Sequence, residues 1–111
     1  MEITYEDFKK VDIRIGTVLS VKNNEKARQL ALVVEVDFGT EIGVKISSAK
    51  ITHYYNSDNL VGKQIIAICN FPTKNIAGIV SEVLILGTVD KENKVVLLHP
   101  TQTVNNGLQV Y

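Results

Sequence analysis

Apolar and polar side chains alternate along the first half of the chain. Every second residue from 30 to 38 is a large apolar one, and the alternation resumes from 42 to 46 after Gly39 and Thr40. Side chains of a strand point alternately to the two faces of a sheet. Two such runs joined by a short, glycine-containing connection are typical of a β-hairpin. The pattern therefore predicts two antiparallel strands with one buried face.

Further apolar runs predict four more strands, at residues 12–22, 64–69, 79–88 and 95–98. In the first of them, Ile13, Ile15, Leu19 and Val21 are expected on one face. Gly16 lies within that strand and predicts a bulge or bend there. The connection from 70 to 78 is polar, and a last apolar segment follows a turn at residues 105–107.

Two short helices are predicted beside the strands. Residues 4–10 begin with Thr4, a good N-cap, continue with acidic residues and end with two lysines, which suits the helix dipole. The strand alternation does not continue through residues 48–55, which predict a second short helix with a serine as its N-cap. Both helices are too short to be stable alone.

The order of these elements predicts an all-β protein. Several short strands, one helix after the third strand and no β-α-β rhythm favour a closed Greek-key barrel. The expected fold is the OB-fold, a five-stranded barrel, here with short flanking helices and extra C-terminal strand segments. Residues 1–111 contain no repeat, linker or low-complexity segment, so we expect one domain.

Composition limits the compartment and the class of protein. The chain has 111 residues, of which 45% are hydrophobic and 22% charged. No apolar run reaches the roughly 20 residues of a membrane helix, and the first residues are acidic, unlike a secretory signal. We therefore expect a cytoplasmic protein without membrane insertion. The one cysteine, Cys69, ends an apolar run, which predicts a buried and inert thiol.

Charge is distributed unevenly although the net charge is zero. Residues 42–81 contain four lysines and one acid, whereas residues 1–41 contain six bases and eight acids. A cationic face with aromatic neighbours would attract phosphates. On charge alone, the more common explanation is that the lysines only solvate the surface.

The segment from Asn70 to residue 87 is the most informative part of the chain. It joins two apolar runs through a connection with a proline and Lys74, and it contains no acid before Glu82. Amides, hydroxyls and a cation at the rim of a barrel suit an extended anionic polymer. The two histidines and the cysteine are widely separated, and no metal-ligand, phosphate-loop or nucleophile motif is present. We therefore expect neither an enzyme nor a cofactor.

Four motifs in order resemble the tRNA-binding domain family, and in particular its CsaA branch. The first three are VDIRIGTV at 11–18, GVKISSAKIT at 43–52 and LVGKQ at 60–64. The fourth has two parts, NFP at 70–72 and SEVL at 81–84. The chain departs from the family at Ala77, where the wider RNA-binding branch has arginine. It also lacks the prolines and the tyrosine that CsaA proteins carry in the first loop. The resemblance implies a homodimeric OB-fold that binds tRNA and has export-related chaperone roles.

The resemblance and the residues together give eight candidate RNA-binding positions. Asn70, Ser81, Ser47 and Ser48 match polar positions of the family, and Lys74 stands where CsaA proteins usually have arginine. The remaining candidates are Lys45, Lys50 and Arg28. Each has a structural alternative: the serines and Asn70 as caps or buried groups, the basic residues as solvated charges.

Phe71 and the chain ends leave further alternatives open. We favour a place for Phe71 over the barrel mouth, with base stacking as the rival. The N-terminal helix and residues 104–111 have no evident partner in the barrel, so they are the expected dimer elements.

Two functions compete at this point. The first is a homodimer that binds tRNA by shape and backbone. The second is a chaperone that binds extended preprotein peptides at a strand edge.

Overall fold

The computed structural model of the chain describes residues 1–26 and 31–111. In chain order, the elements are α1 (Tyr5–Lys9), β1 (Ile13–Asn23), β2 (Leu32–Asp37), α2 (Gly39–Ile42), β3 (Val44–Ala49), α3 (Ser57–Leu60), β4 (Gln64–Ile68), β5 (Lys74–Ile76), β6 (Ile79–Ser81), β7 (Leu84–Ile85), β8 (Gly87–Val89) and β9 (Val95–Leu97).

Five antiparallel strands form the main sheet, in the order β3-β2-β1-β4-β7. Residues just before β7 contact the opposite edge strand, β3, so the sheet rolls into a nearly closed barrel. The Glu82 N–H donates to the Ile46 carbonyl at 2.7 Å across this gap. This architecture confirms the predicted all-β, OB-fold-like barrel. Two small hairpins, β5-β6 and β8-β9, extend from it.

Strand β1 is the long, curled strand that the barrel needs. Its first half pairs with β4 and its second half with β2. The register shifts between Val18 and Ser20, so the bulge lies there and not at Gly16, where the sequence predicted it. As a result Val18 points into the core and Leu19 is exposed, which reverses the predicted face at these positions.

Gly16 has a different role, which is to make room. A Cβ atom built on it would lie 2.5 Å from Val36 Cγ1 and 2.8 Å from Phe38 Cδ1. Val36 and Phe38 are fully buried in the centre of the barrel. The glycine therefore lets β1 pass close over the two side chains that fill the barrel interior.

The predicted helix over residues 48–55 is absent. Ser47 and Ser48 continue β3, where they pair with Val34 and Val33 of β2. Pairing with β2 outweighs the capping preference of serine. The helix between the third and fourth barrel strands is α3, and Asn56 caps it by accepting the Asn59 N–H at 3.1 Å. The predicted capping of α1 by Thr4 is confirmed.

The predicted strand over 79–88 is broken into β6, β7 and β8. Each piece pairs with a different partner, namely β5, β4 and β9, so the chain must bend between the pieces. The polar connection before it contains β5, which the sequence did not predict. Strands β4 and β9 lie where the sequence predicted them.

The C-terminal segment is part of the fold. The Gly107 N–H donates to the Ile15 carbonyl at 2.7 Å, and the Val110 N–H donates to the Ile13 carbonyl at 2.8 Å. Arg14 supports this pairing by donating to the Gly107 carbonyl at 3.0 Å, while its Nε lies 2.6 Å from Asp12 Oδ1. Residues 104–111 therefore have a partner in the barrel, contrary to the expectation from sequence.

A Gly16→Ala variant should be less stable than the wild type by about 1–3 kcal/mol, because the new methyl group overpacks the core. Urea denaturation measures the change in the free energy of unfolding. Lys22→Ala, at an exposed position of the same strand, is the control and should change stability by no more than about 0.5 kcal/mol. Equal stability of the two variants would contradict the close packing at Gly16.

Candidate nucleic-acid interface

A small groove lies where the barrel closes, between the edge of β3 and the β5-β6 hairpin. Its volume is about 210 Å³. We call it the rim groove. Its walls include Ser48, Phe71, Lys74, Ser81, Glu82 and Leu84.

The β5-β6 hairpin sets two of the predicted site residues side by side. Lys74 and Ser81 are direct cross-strand partners. The hairpin turns through Ala77 and Gly78, which have φ values of 49° and 85°. Positive φ at both central residues is the geometry of the type I′ turn, which matches the twist of paired strands. Asn75 Oδ1 accepts the Gly78 N–H at 3.0 Å and steadies the turn.

Ser81 joins the hairpin to the barrel. Its Oγ accepts the backbone N–H of Ser48 at 3.0 Å and faces the Val83 carbonyl at 3.5 Å. The Ser81 hydroxyl therefore replaces a missing strand partner for the edge of β3. The interaction brings Ser48, Ser81 and Lys74, three of the eight candidate positions, together in one groove.

Glu82 makes a second link across the closure. Its Oε1 accepts the Ile46 N–H at 3.1 Å, and its own N–H donates to the Ile46 carbonyl. Its Oε2 lies 3.8 Å from the Nζ of Lys45. A carboxylate in the wall of an anion-binding groove would repel phosphate, but this one is matched by a cation and a backbone donor. The positive charge of Lys45 is likewise partly neutralised by the Glu82 carboxylate.

The structure places the other predicted residues differently. Ser47 is 2% exposed and belongs to the barrel core, so its hydroxyl is not accessible to a ligand. The amide of Asn70 is engaged within the chain: Oδ1 accepts the Asp12 N–H at 2.9 Å, and Nδ2 donates to the Lys10 carbonyl at 2.8 Å. Asn70 thus ties the end of α1 to the end of β4.

Two basic candidates remain. Lys50 is exposed directly after the last residue of β3. Arg28 lies outside the described residues.

Two further residues lie at the groove, and the sequence suggested only the first of them, as the less favoured of two alternatives. Phe71 is 50% exposed and lines the groove, so the favoured expectation, that it is covered at the barrel mouth, is wrong. Lys26 lies at the hairpin turn, where its Cδ is 3.6 Å from a Cβ built on Gly78. In an OB-fold the loops after the first and fourth barrel strands lie at the same end, and this rule would have brought Lys26 into the site.

Cys69 lies at the end of β4, next to Asn70, and is half-buried. Burial, and secondarily the negative charge of Asp12, raise the pKa of its thiol to about 11. Within residues 1–26 and 31–111, no cluster of three or more histidine, cysteine or acidic residues could hold a metal ion.

A larger cavity of about 560 Å³ lies elsewhere, between Gln64, Leu97 and residues 98–103. Lys63 and His99 line it, but none of the seven predicted site residues within the described ranges does. Its size alone does not make it the candidate interface, because three of the predicted residues, Ser48, Lys74 and Ser81, line the rim groove instead.

Truncation of Glu82 should open the barrel closure. We expect Glu82→Ala to lower the free energy of unfolding by about 1–3 kcal/mol, since a backbone donor of β3 loses its acceptor. Glu82→Gln keeps an acceptor and loses only the partly exposed ion pair, so its effect should stay below about 1 kcal/mol. Thermal or urea denaturation measures both. Equal losses in the two variants would contradict a stabilising role for the hydrogen bond from the Ile46 N–H to Glu82 Oε1.

Cys69 should react slowly with iodoacetamide. The thiolate is the reactive form, and with a pKa of about 11 almost all of the thiol is protonated at pH 8. At pH 8 we expect alkylation of the folded chain to be at least about tenfold slower than that of the urea-unfolded chain. Mass spectrometry over time measures both rates, and equal rates would show that the native environment does not protect the thiol.

Among the residues that the structure describes, no helix is long and apolar enough to cross a membrane.

The sequence and the fold of this chain are similar to those of known proteins. Residues 13–109 match the family described as "Putative tRNA binding domain". The crystal structure of chaperone CsaA from Bacillus anthracis is 46% identical with a TM-score of 0.93, and the match covers 100% of both chains. The CsaA chaperone from Picrophilus torridus is 43% identical with a TM-score of 0.92, covering 99% of this chain and 100% of that one.

Longer proteins also match. The methionine–tRNA ligase of Flavobacterium johnsoniae is 34% identical over 108 residues, which are 97% of this chain but only 15% of the ligase. The ligase from Porphyromonas gingivalis is 38% identical over 109 residues, which are 98% of this chain and 16% of that one. The chain thus spans about one-sixth of the length of these relatives. From the match over residues 13–109, the chain belongs to the tRNA-binding domain family.

Proposed function

We propose that this chain binds tRNA, or RNA folded in a similar way, at the rim groove and does not change it chemically. The observation that carries the proposal is the pairing of Lys74 with Ser81, beside Ser48, at the closure of the barrel. Membership of the tRNA-binding domain family supports the same ligand. A tRNA ligand would also place the protein in the cytoplasm.

The groove has the groups that backbone recognition requires. Structured RNA presents phosphates and 2′-hydroxyls, which proteins recognise by cations and polar groups more than by base sequence. Lys74 is exposed and provides the charge. Ser48 and Ser81 line the same groove, and their side chains would add directional contacts. Two further cations lie on the elements that form the groove: Lys26 at the hairpin turn and Lys50, exposed directly after β3.

We also propose that the protein acts as a homodimer. Residues 42–81 have a net charge of only +3, which is weak attraction for one subunit. Two linked sites raise the effective affinity without new contacts in either one. The N-terminal residues suit this role because Ile3 and Tyr5 are 63% and 62% exposed and α1 contains no buried residue.

A second candidate function is binding of extended peptides, as a chaperone for preproteins. Phe71, Val80 and Leu84 are each about half exposed and lie at or beside the rim groove. An apolar surface of this kind suits unfolded segments. The two structural relatives named above are described as chaperones. Peptide affinity would follow hydrophobicity and depend little on salt.

Removal of Lys74 should weaken tRNA binding and its dependence on salt. Each lost phosphate contact lowers the slope of log K against log salt by about 0.7–0.9. We expect Lys74→Ala to reduce the slope by about that amount and Lys50→Ala/Lys74→Ala by about twice as much. Fluorescence anisotropy with labelled tRNA at 50–200 mM salt measures both.

Lys91→Ala is the matched control for charge, because Lys91 lies in the turn between β8 and β9. Its slope should equal that of the wild type. Equal slopes for Lys74→Ala and Lys91→Ala would remove the rim groove from the proposal. Wild-type binding that is insensitive to salt and follows peptide hydrophobicity would favour the chaperone function instead.

A further inference from the structure

We propose that the rim groove holds one unpaired nucleotide, with its base stacked on Phe71 and its phosphate at Lys74. This inference rests on the proposed RNA binding and goes beyond it, because it specifies that the site takes an unstacked base from a loop, a bulge or an end.

The first observation is the position of Phe71. The residue is 50% exposed, although a phenyl ring gains free energy by burial. The residue follows β4 and precedes Pro72, whose fixed φ limits the conformations of this connection. Phe71 is therefore presented at the groove by a constrained segment. An aromatic ring that is presented in this way is the usual platform on which a base stacks.

The second observation is the size and lining of the groove. About 210 Å³ is less than the 300–1,000 Å³ of pockets for drug-sized ligands, so the groove suits a single ring system. Val83 is buried and Leu84 is 48% exposed, so together with Phe71 they form an apolar wall. A base offers two flat faces to such a wall. Paired bases inside a helix cannot offer theirs, because they are already stacked.

The third observation is the charge at the edge of the groove. Lys74 lines it, and Lys26 lies at the turn of the same hairpin. Among the described residues that line the groove, Glu82 carries the carboxylate, and Lys45 and the Ile46 N–H match it. An apolar wall beside a cation fits a nucleotide, whose base is apolar on its faces and whose phosphate is anionic. An apolar peptide side chain would use the wall and leave the cation without a partner.

The chain contains no tryptophan, so a Phe71→Trp variant carries a single indole inside the groove. Base stacking quenches indole fluorescence. We expect saturable quenching by a 12-nucleotide single-stranded oligo(A) and by tRNA, and little quenching by a blunt 12-base-pair RNA duplex at the same nucleotide concentration.

Phe71→Leu separates stacking from apolar contact, since leucine keeps most of the apolar surface and has no π face. Stacking is worth about 5- to 140-fold in affinity for one base. We expect Phe71→Leu to lose at least about fivefold in affinity for oligo(A) with an unchanged salt slope, whereas Lys74→Ala reduces the slope. Leu98→Ala, at a 42% exposed position in the wall of the larger cavity, is the control and should bind as the wild type does.

Circular dichroism first establishes that each variant is folded. Quenching by single-stranded RNA together with the loss in Phe71→Leu supports the inference. The inference is overturned if folded Phe71→Leu binds oligo(A) as tightly as the wild type does. It is also overturned if an apolar peptide quenches the Phe71→Trp fluorescence and RNA does not. Either result would count against the inference even if the wild type binds tRNA. Failure of the wild type to bind any RNA contradicts the proposed function itself.

Discussion

The closure of the barrel at the edge of β3 is the constraint on which the candidate site depends. A five-stranded sheet that rolls up must satisfy the outer edge of its last strand, because unpaired backbone groups there are costly. In this chain the edge is satisfied by Ser81 and Glu82, whose side chains accept the N–H groups of Ser48 and Ile46. The same contacts fix the β5-β6 hairpin against the barrel and so form the rim groove. The contacts that close the barrel are therefore the same contacts that form the candidate site.

The interior of the barrel imposes a second constraint. Phe38 and Val36 fill the centre, and β1 can pass over them only because Gly16 has no side chain. The bulge after Val18 then turns the rest of β1 toward β2. A strand that serves two partners in this way gives the barrel its curvature, and the C-terminal segment completes the hydrogen bonding of its first half.

Local patterns were sufficient for much of the fold. Alternation predicted β2 and β3, the capping residues predicted α1, and the order of elements predicted an OB-fold barrel. Patterns failed where the decisive contact is distant in sequence. Ser47 and Ser48 resemble helix caps, but pairing with β2 makes them strand residues and buries Ser47. Asn70 resembles a binding residue, yet its partners are the backbone groups of Lys10 and Asp12.

The candidate site could be predicted from sequence only in part, because its residues also meet through contacts that are distant in sequence. Lys74 and Ser81 are seven residues apart, and only the hairpin makes them neighbours. Lys26 is distant from both in sequence and reaches the turn through the packing of a loop. Phe71 was expected over the barrel mouth, with base stacking as the rival, but in the connection after β4 it is half exposed. Sequence gives the chemical type of such residues, whereas the register of the barrel decides which of them meet.

RNA binding where the barrel closes can be tested by titration of the ¹⁵N-labelled wild-type chain with an RNA hairpin that carries an unpaired loop. Amide chemical shifts in NMR spectra report which residues respond. We expect the largest changes at Ser48, Phe71, Lys74 and Ser81, around the rim groove. Changes confined to Lys63, Gln64 and residues 98–103, around the larger cavity, would contradict it.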